Sequence, residues 1–405
     1  MKKKNRISDI ISIVLFLAMI LGFSLSFAVL PDKESSPSEG RDLQALPSFS
    51  EGYTAPDGTE IKGLDYLLHG YLADDFDEYF CDQFPLRNMF LGLSALTEQA
   101  FGRYVNNGVL NKDGDLAAVE FDAVGVGSST EYISEEHIKA SLENLSAVCH
   151  DLSIPTGILL PPRAVDVKHD SLSYPADNSL MLEALCEDAF CDRCGRYINL
   201  FDTMQSLNDS GEQPYYLTDH HWTTKGAYYA YKELMESWGV TPYGMEDFDF
   251  VTVTEDFKGT ALRNGNYFYL DGEELQLARY EGDEDFTVTE LNLAFKPSEE
   301  KNGLYDFTAL EGEDAYSVFL HGKPTHMSIS LEGAERETLL IFKDSFAHSL
   351  VPFLARHYDL VIVDMDTSRF GTSVSTVISM VNPDRLLFVY NFENIIETDK
   401  LIKLK

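Results

Sequence analysis

Short apolar runs near the C-terminal end of the chain alternate with helical or turn segments. The runs occur at residues 338–342, 360–363 and 385–390. Continuous apolar stretches of this length are typical of strands that are buried on both faces of a parallel sheet. The pattern therefore predicts an α/β fold in which helices flank a parallel sheet.

An earlier part of the chain predicts a helix that leads into a strand of the same kind. An apolar strand is expected at 156–160, and the residues before it recur at the spacing of one helical face, at Ile138, Leu142, Leu145 and Cys149. Residues 255–329 are instead rich in Gly, Asp, Glu, Tyr and Thr. We expect this region to form irregular short strands inserted between two halves of the sheet.

The N-terminal segment is the most apolar part of the chain. Residues 10–30 carry no charge over 21 positions, and as a helix they would extend roughly 31 Å, about the thickness of a bilayer core. Basic residues precede this segment, at Lys2, Lys3, Lys4 and Arg6. The positive-inside rule predicts a single-pass protein of the cell membrane with its N-terminus inside and its remainder extracytoplasmic.

Two interpretations of this segment differ in what happens after export. Its length exceeds the apolar region of about 7–15 residues that is usual for a cleaved signal, which favours an uncleaved signal-anchor. The sequence Ser26-Phe27-Ala28 offers a cleavage site of the small-x-small type. Both interpretations export the protein.

The chain is accordingly expected to have four parts. A basic cytoplasmic tail at 1–6 precedes a transmembrane signal-anchor helix at 7–30. An extracytoplasmic linker follows at 31–60, where Pro, Ser, Gly and acidic residues are frequent. Residues 61–405 then form one extracytoplasmic domain.

The charge distribution agrees with this topology and limits the partners. The chain has 31 basic and 67 acidic residues, a net charge of −36. Residues 1–30 carry +3 of it, so the remainder carries −39. A nucleic-acid partner is excluded, because binding to a phosphate backbone requires a basic face. The acidic domain also repels anionic polymers, which favours a neutral glycan over an anionic one.

The cysteines give little support to a metal site or a disulfide framework. There are five, at Cys81, Cys149, Cys186, Cys191 and Cys194. The spacing of the last three would suit part of a zinc site, but no fourth ligand lies nearby in the sequence. We therefore expect no metal and no cofactor.

Two short motifs carry side chains that are suited to catalysis. The first, Thr-Asp-His-His-Trp-Thr-Thr at 218–224, directly precedes an amphipathic helix for which Thr223 or Thr224 is the expected cap. A carboxylate at Asp219 can orient the imidazole of His221 and stabilise the charge that it gains on taking a proton. The positive end of the helix dipole disfavours imidazolium and so keeps a base available.

The second motif, Lys-Asp-Ser-Phe at 343–346, lies where an apolar strand ends and a helix is expected to begin at 347–356. A serine on such a turn projects its hydroxyl from the carboxyl edge of the sheet, and its own amide can stabilise an oxyanion. Taken alone, a serine after an aspartate is more simply part of a helix cap. With Asp219 and His221 in an exported chain, Ser345 predicts an acid–base–nucleophile triad.

These two motifs, together with others, resemble the DHHW protein family. The others are Phe84-Pro85-Leu86-Arg87, Asn107-Gly108-Val109, Lys112-Asp113-Gly114 and Tyr316-Ser317-Val318-Phe319-Leu320. The likeness runs from about residue 41 to the C-terminus. That family is related to the AlgX/AlgJ-type, SGNH-hydrolase-like proteins of alginate O-acetylation.

The resemblance implies a fold and a set of functional residues. It implies an SGNH-hydrolase-like parallel sheet and a triad of Ser345, His221 and Asp219, with His220 at the variable position of the motif. Asp344, beside the nucleophile, is a further supporting candidate. A further oxyanion candidate is Asn391, after the last strand.

The resemblance also implies an activity. It implies transfer of acetyl groups to a cell-surface or secreted polysaccharide, with a membrane-bound O-acyltransferase as the partner that supplies acetyl across the membrane. We expect His221 to deprotonate Ser345, which forms an acetyl-serine that a sugar hydroxyl then resolves. Water in place of the sugar would make the same site an acetyl esterase.

Two functions of other classes remain open from the residues. Asp219-His220-His221 also spells the metal-binding motif of DHH phosphoesterases, and Asp364 and Asp366 supply further carboxylates for two-metal hydrolysis. The order of these motifs is reversed relative to those enzymes, and their glycines are missing. The other function is that of a non-catalytic, glycan-binding surface protein.

Overall fold

The structure of the protein is a computed structural model. It describes residues 6–50, 52–54, 60–119, 134–150, 152–174, 177–190, 196–312, 314–333, 335–364, 373–399 and 401. The chain forms two compact units, 1–96 and 97–405. The division at residue 60 that the sequence suggested stays a prediction.

The secondary structure combines helices and strands throughout. The helices of the described residues are, in chain order, α1 (Arg6–Val29), α2 (Gly63–Leu68), α3 (Tyr71–Asp82), α4 (Arg87–Ala100), α5 (Glu135–His150), α6 (Ala164–Leu172), α7 (Ser179–Phe190), α8 (Phe201–Asp209), α9 (Thr224–Ser237), α10 (Thr260–Asn264), α11 (Val351–Ala355), α12 (Val374–Val381) and α13 (Phe392–Glu397). The strands are β1 (Ser35–Ser36), β2 (Arg41–Asp42), β3 (Tyr53–Thr54), β4 (Glu60–Ile61), β5 (Val105–Asn106), β6 (Val109–Lys112), β7 (Asp115–Ala118), β8 (Thr156–Leu159), β9 (Arg196–Ile198), β10 (Asp249–Phe257), β11 (Glu273–Arg279), β12 (Phe286–Leu291), β13 (Pro297–Asn302), β14 (His326–Leu331), β15 (Thr338–Lys343), β16 (Asp359–Asp364) and β17 (Arg385–Val389).

An eight-stranded sheet organises the second unit. Its strand order is β13-β12-β14-β16-β15-β17-β8-β9. Neighbouring strands in the series β16-β15-β17-β8-β9 are parallel, whereas β14, β12 and β13 extend the sheet beyond β16 with antiparallel pairing. The predicted α/β class is confirmed, and the three C-terminal apolar runs are β15, β16 and β17.

The region expected as an insertion contributes more to the sheet than the sequence suggested. β10 and β11 do form a separate antiparallel pair. β12, β13 and β14, however, continue the main sheet beyond β16. Pairing of β14 with β16 satisfies backbone groups that would otherwise be exposed along the edge of the parallel strands.

Side chains of the parallel strands are buried on both faces, which explains their unbroken apolar sequence. In β15, Leu339 and Ile341 pack into one core cluster, and Leu340 and Phe342 pack into the other. Successive side chains of a strand point to opposite faces, so both layers share the same strand. The apolar face of α5 lies in the second cluster, as its spacing predicts.

The described residues of the first unit form the long helix α1, the shorter helices α2 and α3, and most of α4. The segment Ser8–Val29, 22 residues, is long and apolar enough to cross a membrane. A membrane anchor and an N-terminal signal sequence can both meet this criterion of length and composition. Two small antiparallel strand pairs, β1–β2 and β3–β4, occur between α1 and α2 in the sequence.

Candidate active site

Ser345 lies two residues after Lys343, the last residue of β15, at the carboxyl end of the strand. Asp344 caps the short 3-10 helix Ser345–Ala347 and accepts a hydrogen bond from the Phe346 amide (2.9 Å). The helix expected at 347–356 is shorter than predicted, because a turn separates this 3-10 helix from α11. The serine is therefore held in a tight turn at the strand end, where the sequence predicted it.

This turn keeps one backbone amide available beside the Ser345 hydroxyl. The amides of Asp344 and Phe346 donate to the Val389 carbonyl (3.0 Å) and to the Asp344 side chain. Within the described part of the chain, the Ser345 amide donates to no protein acceptor. An N–H next to the nucleophile is suited to bind a developing oxyanion.

The aspartate–histidine motif directly precedes α9. Thr223 is the N-cap, and its hydroxyl accepts a hydrogen bond from the Gly226 amide (3.1 Å), as one of the two predicted caps. The indole N–H of Trp222 donates to the Phe346 carbonyl (3.0 Å). The tryptophan thus ties the motif to the turn that carries Ser345.

Asp219, His221 and Ser345 form a continuous hydrogen-bonded series. Nε2 of His221 lies 2.7 Å from Oγ of Ser345, and Nδ1 lies 2.5 Å from Oδ1 of Asp219. The side chain of Asp219 is an acceptor only, so Nδ1 carries a proton and Nε2 accepts from the serine. Asp219 and His221 are only 1% and 4% exposed. A proton can therefore pass from the hydroxyl to an imidazole that a carboxylate stabilises.

Asp219 is fixed in addition by α10. Its Oδ2 accepts hydrogen bonds from the amide (2.7 Å) and the hydroxyl (3.0 Å) of Thr260. Gly259 permits this approach, since a Cβ there would lie 2.2 Å from the Cβ of Asp219. Burial raises the pKa of Asp219, but the electrostatic interaction of its carboxylate with His221 and His220 and the hydrogen bonds from His221 and Thr260 outweigh burial and hold this pKa well below its usual value.

A second carboxylate accepts hydrogen bonds from the backbone directly before Asp219. Glu273, on β11, accepts hydrogen bonds from the amides of Leu217 (2.9 Å) and Thr218 (2.6 Å) and from the Thr218 hydroxyl (2.7 Å). Burial raises the pKa of Glu273. The β10–β11 pair therefore holds the segment that carries the acid.

Two buried aromatic rings enclose the imidazole of His221. The Tyr316 ring lies almost parallel to it, with 3.9 Å between the centroids and 11° between the planes. The Phe346 ring lies 4.9 Å away on a tilted plane. These contacts fix the plane of the imidazole and exclude water from it, which strengthens electrostatic interactions at the site.

Asp344 and Asn391 connect the turn that carries Ser345 to neighbouring segments through hydrogen bonds. Oδ2 of Asp344 accepts hydrogen bonds from the backbone N–H of Asn391 (2.6 Å) and from the side-chain nitrogen of Asn394 (2.9 Å). Burial raises the pKa of Asp344. The side-chain nitrogen of Asn391 donates to the carbonyls of Pro161 (3.1 Å) and Pro162 (3.3 Å). The side chain of Asn391 is thus bonded to backbone carbonyls, and its role as an oxyanion donor stays a prediction.

His220 lies beside the hydrogen-bonded series without joining it. Its Nδ1 is 2.5 Å from the Thr260 hydroxyl, and its ring centroid is 3.9 Å from that of His221. Burial, followed by the charge of His221, lowers the pKa of His220. A neutral ring at this position orients Thr260, which in turn binds Asp219.

The lysine of the nucleophile motif is bonded internally. Nζ of Lys343 lies 2.9 Å from Asp364 and 2.8 Å from Nε2 of His348. Burial, followed by the charge of Lys343, holds the pKa of His348 well below its usual value, so His348 accepts as a neutral ring. Asp364 therefore pairs with lysine, whereas Asp366, the other carboxylate of the two-metal alternative, lies outside the described residues.

Asp219, His220 and His221 are close enough to hold a metal ion, since one ligand atom from each lies within 4.8 Å of the others. Those atoms already have partners, because His221 bonds Ser345 and His220 bonds Thr260. The hydrogen-bonded arrangement favours the serine alternative. For the zinc alternative, Cys186 is buried in α7, and the remaining two cysteines, Cys191 and Cys194, lie outside the described residues.

Sequence reasoning missed three residues that position the acid. Gly259, Thr260 and Glu273 all lie in the region that was expected to be irregular. No periodic pattern marks them, and each acts through a close approach to residues 217–219 in three dimensions. A Gly-Thr pair before a short helix is the only local signal, and it indicates a turn rather than a site.

Comparisons with known proteins identify the family and the fold of the chain. A family model described as DHHW protein matches residues 106–364, which is more than half of the chain. No curated protein matches the chain.

Several solved structures are similar. A DHHW family protein from Eubacterium siraeum shares 20% identity at a TM-score of 0.57, over 73% of this chain and 95% of that chain. Bacillus cereus PatB1, which was also solved with a sulfonyl adduct, shares 18% identity at a TM-score of 0.59, over 73% and 99%. The O-acetyltransferase domain of Pseudomonas putida AlgJ shares 13% identity at a TM-score of 0.44, over 72% and 93%. The first two have the fold described above.

Proposed function

The chain belongs to the DHHW protein family, and from that premise we propose that it is a membrane-anchored serine O-acetyltransferase acting on an extracytoplasmic polysaccharide. The observation that carries the proposal is the series from Asp219 through His221 to Ser345, with 2.5 Å and 2.7 Å between the bonded atoms. A nucleophile, a base and an acid in direct contact are what covalent acyl transfer requires.

The proposed reaction proceeds in two half-reactions. The Ser345 oxygen bonds to the carbonyl carbon of an acetyl donor while its proton passes to Nε2 of His221. Asp219 stays ionised and stabilises the imidazolium, and the Ser345 amide binds the oxyanion. The intermediate collapses when the donor's leaving group departs with the proton from His221, which leaves an acetyl-serine.

In the second half-reaction, a sugar hydroxyl attacks the acetyl-serine. His221 takes the proton of that hydroxyl and returns a proton to Ser345 as the ester bond to the serine breaks. The family resemblance suggests that a membrane-bound O-acyltransferase supplies the acetyl group. The acidity of the chain favours a neutral polysaccharide as the acceptor.

Retention of α1 as the membrane anchor is part of this proposal. The rings of Phe23 and Phe27 lie 5.4 Å and 5.2 Å from those of Phe84 and Phe80 in the same unit. Cleavage after Ala28 would remove both rings from these contacts. N-terminal sequencing of the membrane-bound protein should find the chain intact, and a mature N-terminus directly after Ala28 would contradict the anchor.

The activity itself is tested with the full-length protein in detergent. With a nitrophenyl acetate as donor and a neutral oligosaccharide as acceptor, mass spectrometry should detect acetylated sugar. Ser345→Ala should abolish the product, whereas Ser375→Ala, at an exposed serine of α12, should leave it unchanged. A chelator should have no effect, because no step requires a metal.

The alternatives give different results in the same assay. An acetyl esterase would release acetate through Ser345 and leave the sugar unmodified. A phosphoesterase-type metal site would give activity that a chelator removes and that Ser345→Ala retains. A glycan-binding protein would retain the oligosaccharide without any turnover, and that result would exclude the proposed enzyme.

A further inference from the structure

Helix α4 exposes an apolar face in the first unit. Met89, Phe90, Leu93 and Leu96 lie on one side of the helix, and between 37% and 54% of each residue is exposed. No charged residue occurs at 88–97. A helix at the surface of a water-soluble protein normally carries polar or charged residues on its outer side. We call these four residues the apolar α4 face, and its composition fits an apolar surrounding.

Aromatic contacts join the start of α4 to the last turns of α1. The Phe90 ring lies 5.5 Å from the Phe23 ring, and the Phe84 ring, just before α4, lies 5.4 Å from it. Phe84 and Phe90 also contact each other, with 6.0 Å between their centroids. The beginning of the apolar α4 face is therefore in direct contact with α1.

The position of Phe23 along α1 sets the depth of these contacts in a membrane. Ser8–Val29 has 22 residues, which as a helix extend about 33 Å, against a hydrocarbon core of about 30 Å. Phe23 lies roughly 9 Å before the end of that segment. When α1 spans the bilayer, Phe23 is inside the hydrocarbon, and the rings that touch it are at the same depth.

Polar contacts surround the residues that directly follow the C-terminal end of α1. The Tyr79 hydroxyl donates to Asp32 (3.1 Å), and Lys33 exchanges two hydrogen bonds with Gln83, of 2.9 Å and 3.0 Å. Asp32 and Lys33 follow directly after the apolar end of α1, where the headgroup region begins. These bonds fix the end of α3 to the exit of α1, independently of the aromatic contacts.

We propose that the apolar α4 face lies in the outer leaflet and contacts lipid acyl chains, so that the first unit is held by α4 as well as by α1. Lipid is the occupant that these observations favour, because the face is continuous with a helix whose own exposed side chains, from Ile10 to Leu25, have the composition of a lipid-facing surface. Apolar faces of interfacial helices enter the membrane in the same way. The inference rests on the proposed anchor role of α1 and is independent of the catalytic proposal.

The test measures the contact of one introduced tryptophan at a time with brominated lipid. Full-length protein is reconstituted into phosphatidylcholine vesicles with or without bromine on the acyl chains, and the signal of wild type, which contains Trp222 and Trp238, is subtracted. Phe90→Trp reports the apolar α4 face, Phe16→Trp reports the middle of α1, and Asp74→Trp, at an exposed acidic position of α3, is the matched control. Circular dichroism checks that each variant retains the wild-type fold.

Emission from the Phe90→Trp variant should fall roughly twofold in brominated vesicles, because a face inserted by about 5–10 Å reaches the bromines. The Phe16→Trp variant should be quenched at least as strongly, and the Asp74→Trp variant should be unaffected. Quenching at 16 without quenching at 90 would overturn the inference while retaining the anchor, and it would indicate that a membrane protein partner covers the face instead. Quenching at neither position would overturn both, and neither result bears on the activity of Ser345.

Discussion

Asp219 and Asp344 are two buried carboxylates that support the same serine in opposite electrostatic surroundings. They are 1% and 6% exposed, and each accepts several hydrogen bonds. Burial raises the pKa of both, but the two histidines beside Asp219 reverse the effect there. The hydrogen bonds alone therefore do not decide the direction in which the pKa of each carboxylate shifts. The nature of the neighbours decides it, and only Asp219 faces a base that gains a proton.

The largest difference between the two carboxylates is expected in catalysis. Asp219→Asn removes the charge that stabilises the imidazolium and donates where Nδ1 of His221 needs an acceptor. We expect kcat for acetyl transfer to fall by about 10⁴-fold, as for the loss of a triad aspartate. Steady-state kinetics with a nitrophenyl acetate measure this, and a fall of less than tenfold would remove Asp219 from the mechanism.

The close approach of Gly259 offers a way to disturb Asp219 without changing it. Gly259→Ala adds a Cβ that would lie 2.2 Å from the Asp219 Cβ, and such overpacking costs about 1–3 kcal/mol. We expect a lower free energy of unfolding in urea together with a lower kcat. Gly22→Ala, where nothing lies within 4 Å of the added Cβ, is the matched control. A Gly259→Ala enzyme with wild-type kcat would show that the position of Asp219 is not critical.

Asp344→Asn should affect mainly stability. The change replaces one acceptor oxygen with a donor in a pocket where Phe346, Asn391 and Asn394 all donate. Leaving a buried donor without an acceptor costs about 1–3 kcal/mol, which urea unfolding measures. The kcat of the folded variant should fall far less than that of Asp219→Asn. Equal losses of kcat would remove the distinction between the two carboxylates.

The smallest expected effect is a pH dependence of stability that belongs to Asp219. Because its pKa is lower in the folded than in the unfolded protein, its contribution is present above the unfolded pKa of about 3.9 and is lost as the pH falls through the folded pKa. The difference in unfolding free energy between wild type and Asp219→Asn should therefore shrink as the pH is lowered below about 4, by about 1.4 kcal/mol per unit of pKa shift. A difference that is constant between pH 7 and 3 would contradict the lowered pKa.

The sheet and the motif residues were accessible from sequence because each has a local signal. β15, β16 and β17 are continuous apolar runs, and the cap of α9 is marked by a threonine before an amphipathic stretch. The catalytic candidates follow from residue chemistry at the ends of such elements. Local patterns of this kind are sufficient to predict that Ser345 follows the end of a strand and that Asp219 and His221 precede the start of a helix.

The side chains that surround those residues could not be predicted from local patterns in the sequence. Glu273 and Thr260 act on residues 217–219 from a distant part of the sequence, and their neighbours in sequence give no periodic pattern. The oxyanion role of Asn391 stays a prediction, and its side-chain nitrogen donates to the carbonyls of Pro161 and Pro162, a contact that no local pattern in the sequence indicates. Such roles depend on long-range packing, which a single sequence does not encode in any local signal.

Capture of the acetyl-enzyme shows whether Ser345 carries the acetyl group during transfer. Full-length protein is mixed with a nitrophenyl acetate without an acceptor, quenched in acid within the first turnover, digested and analysed by mass spectrometry. We expect one added acetyl group on the peptide that contains Ser345, absent from His221→Ala and lost when a neutral oligosaccharide is added before the quench. Nitrophenol release by wild type with no acetyl group on Ser345, or with the group on another residue, would show that Ser345 is not the nucleophile.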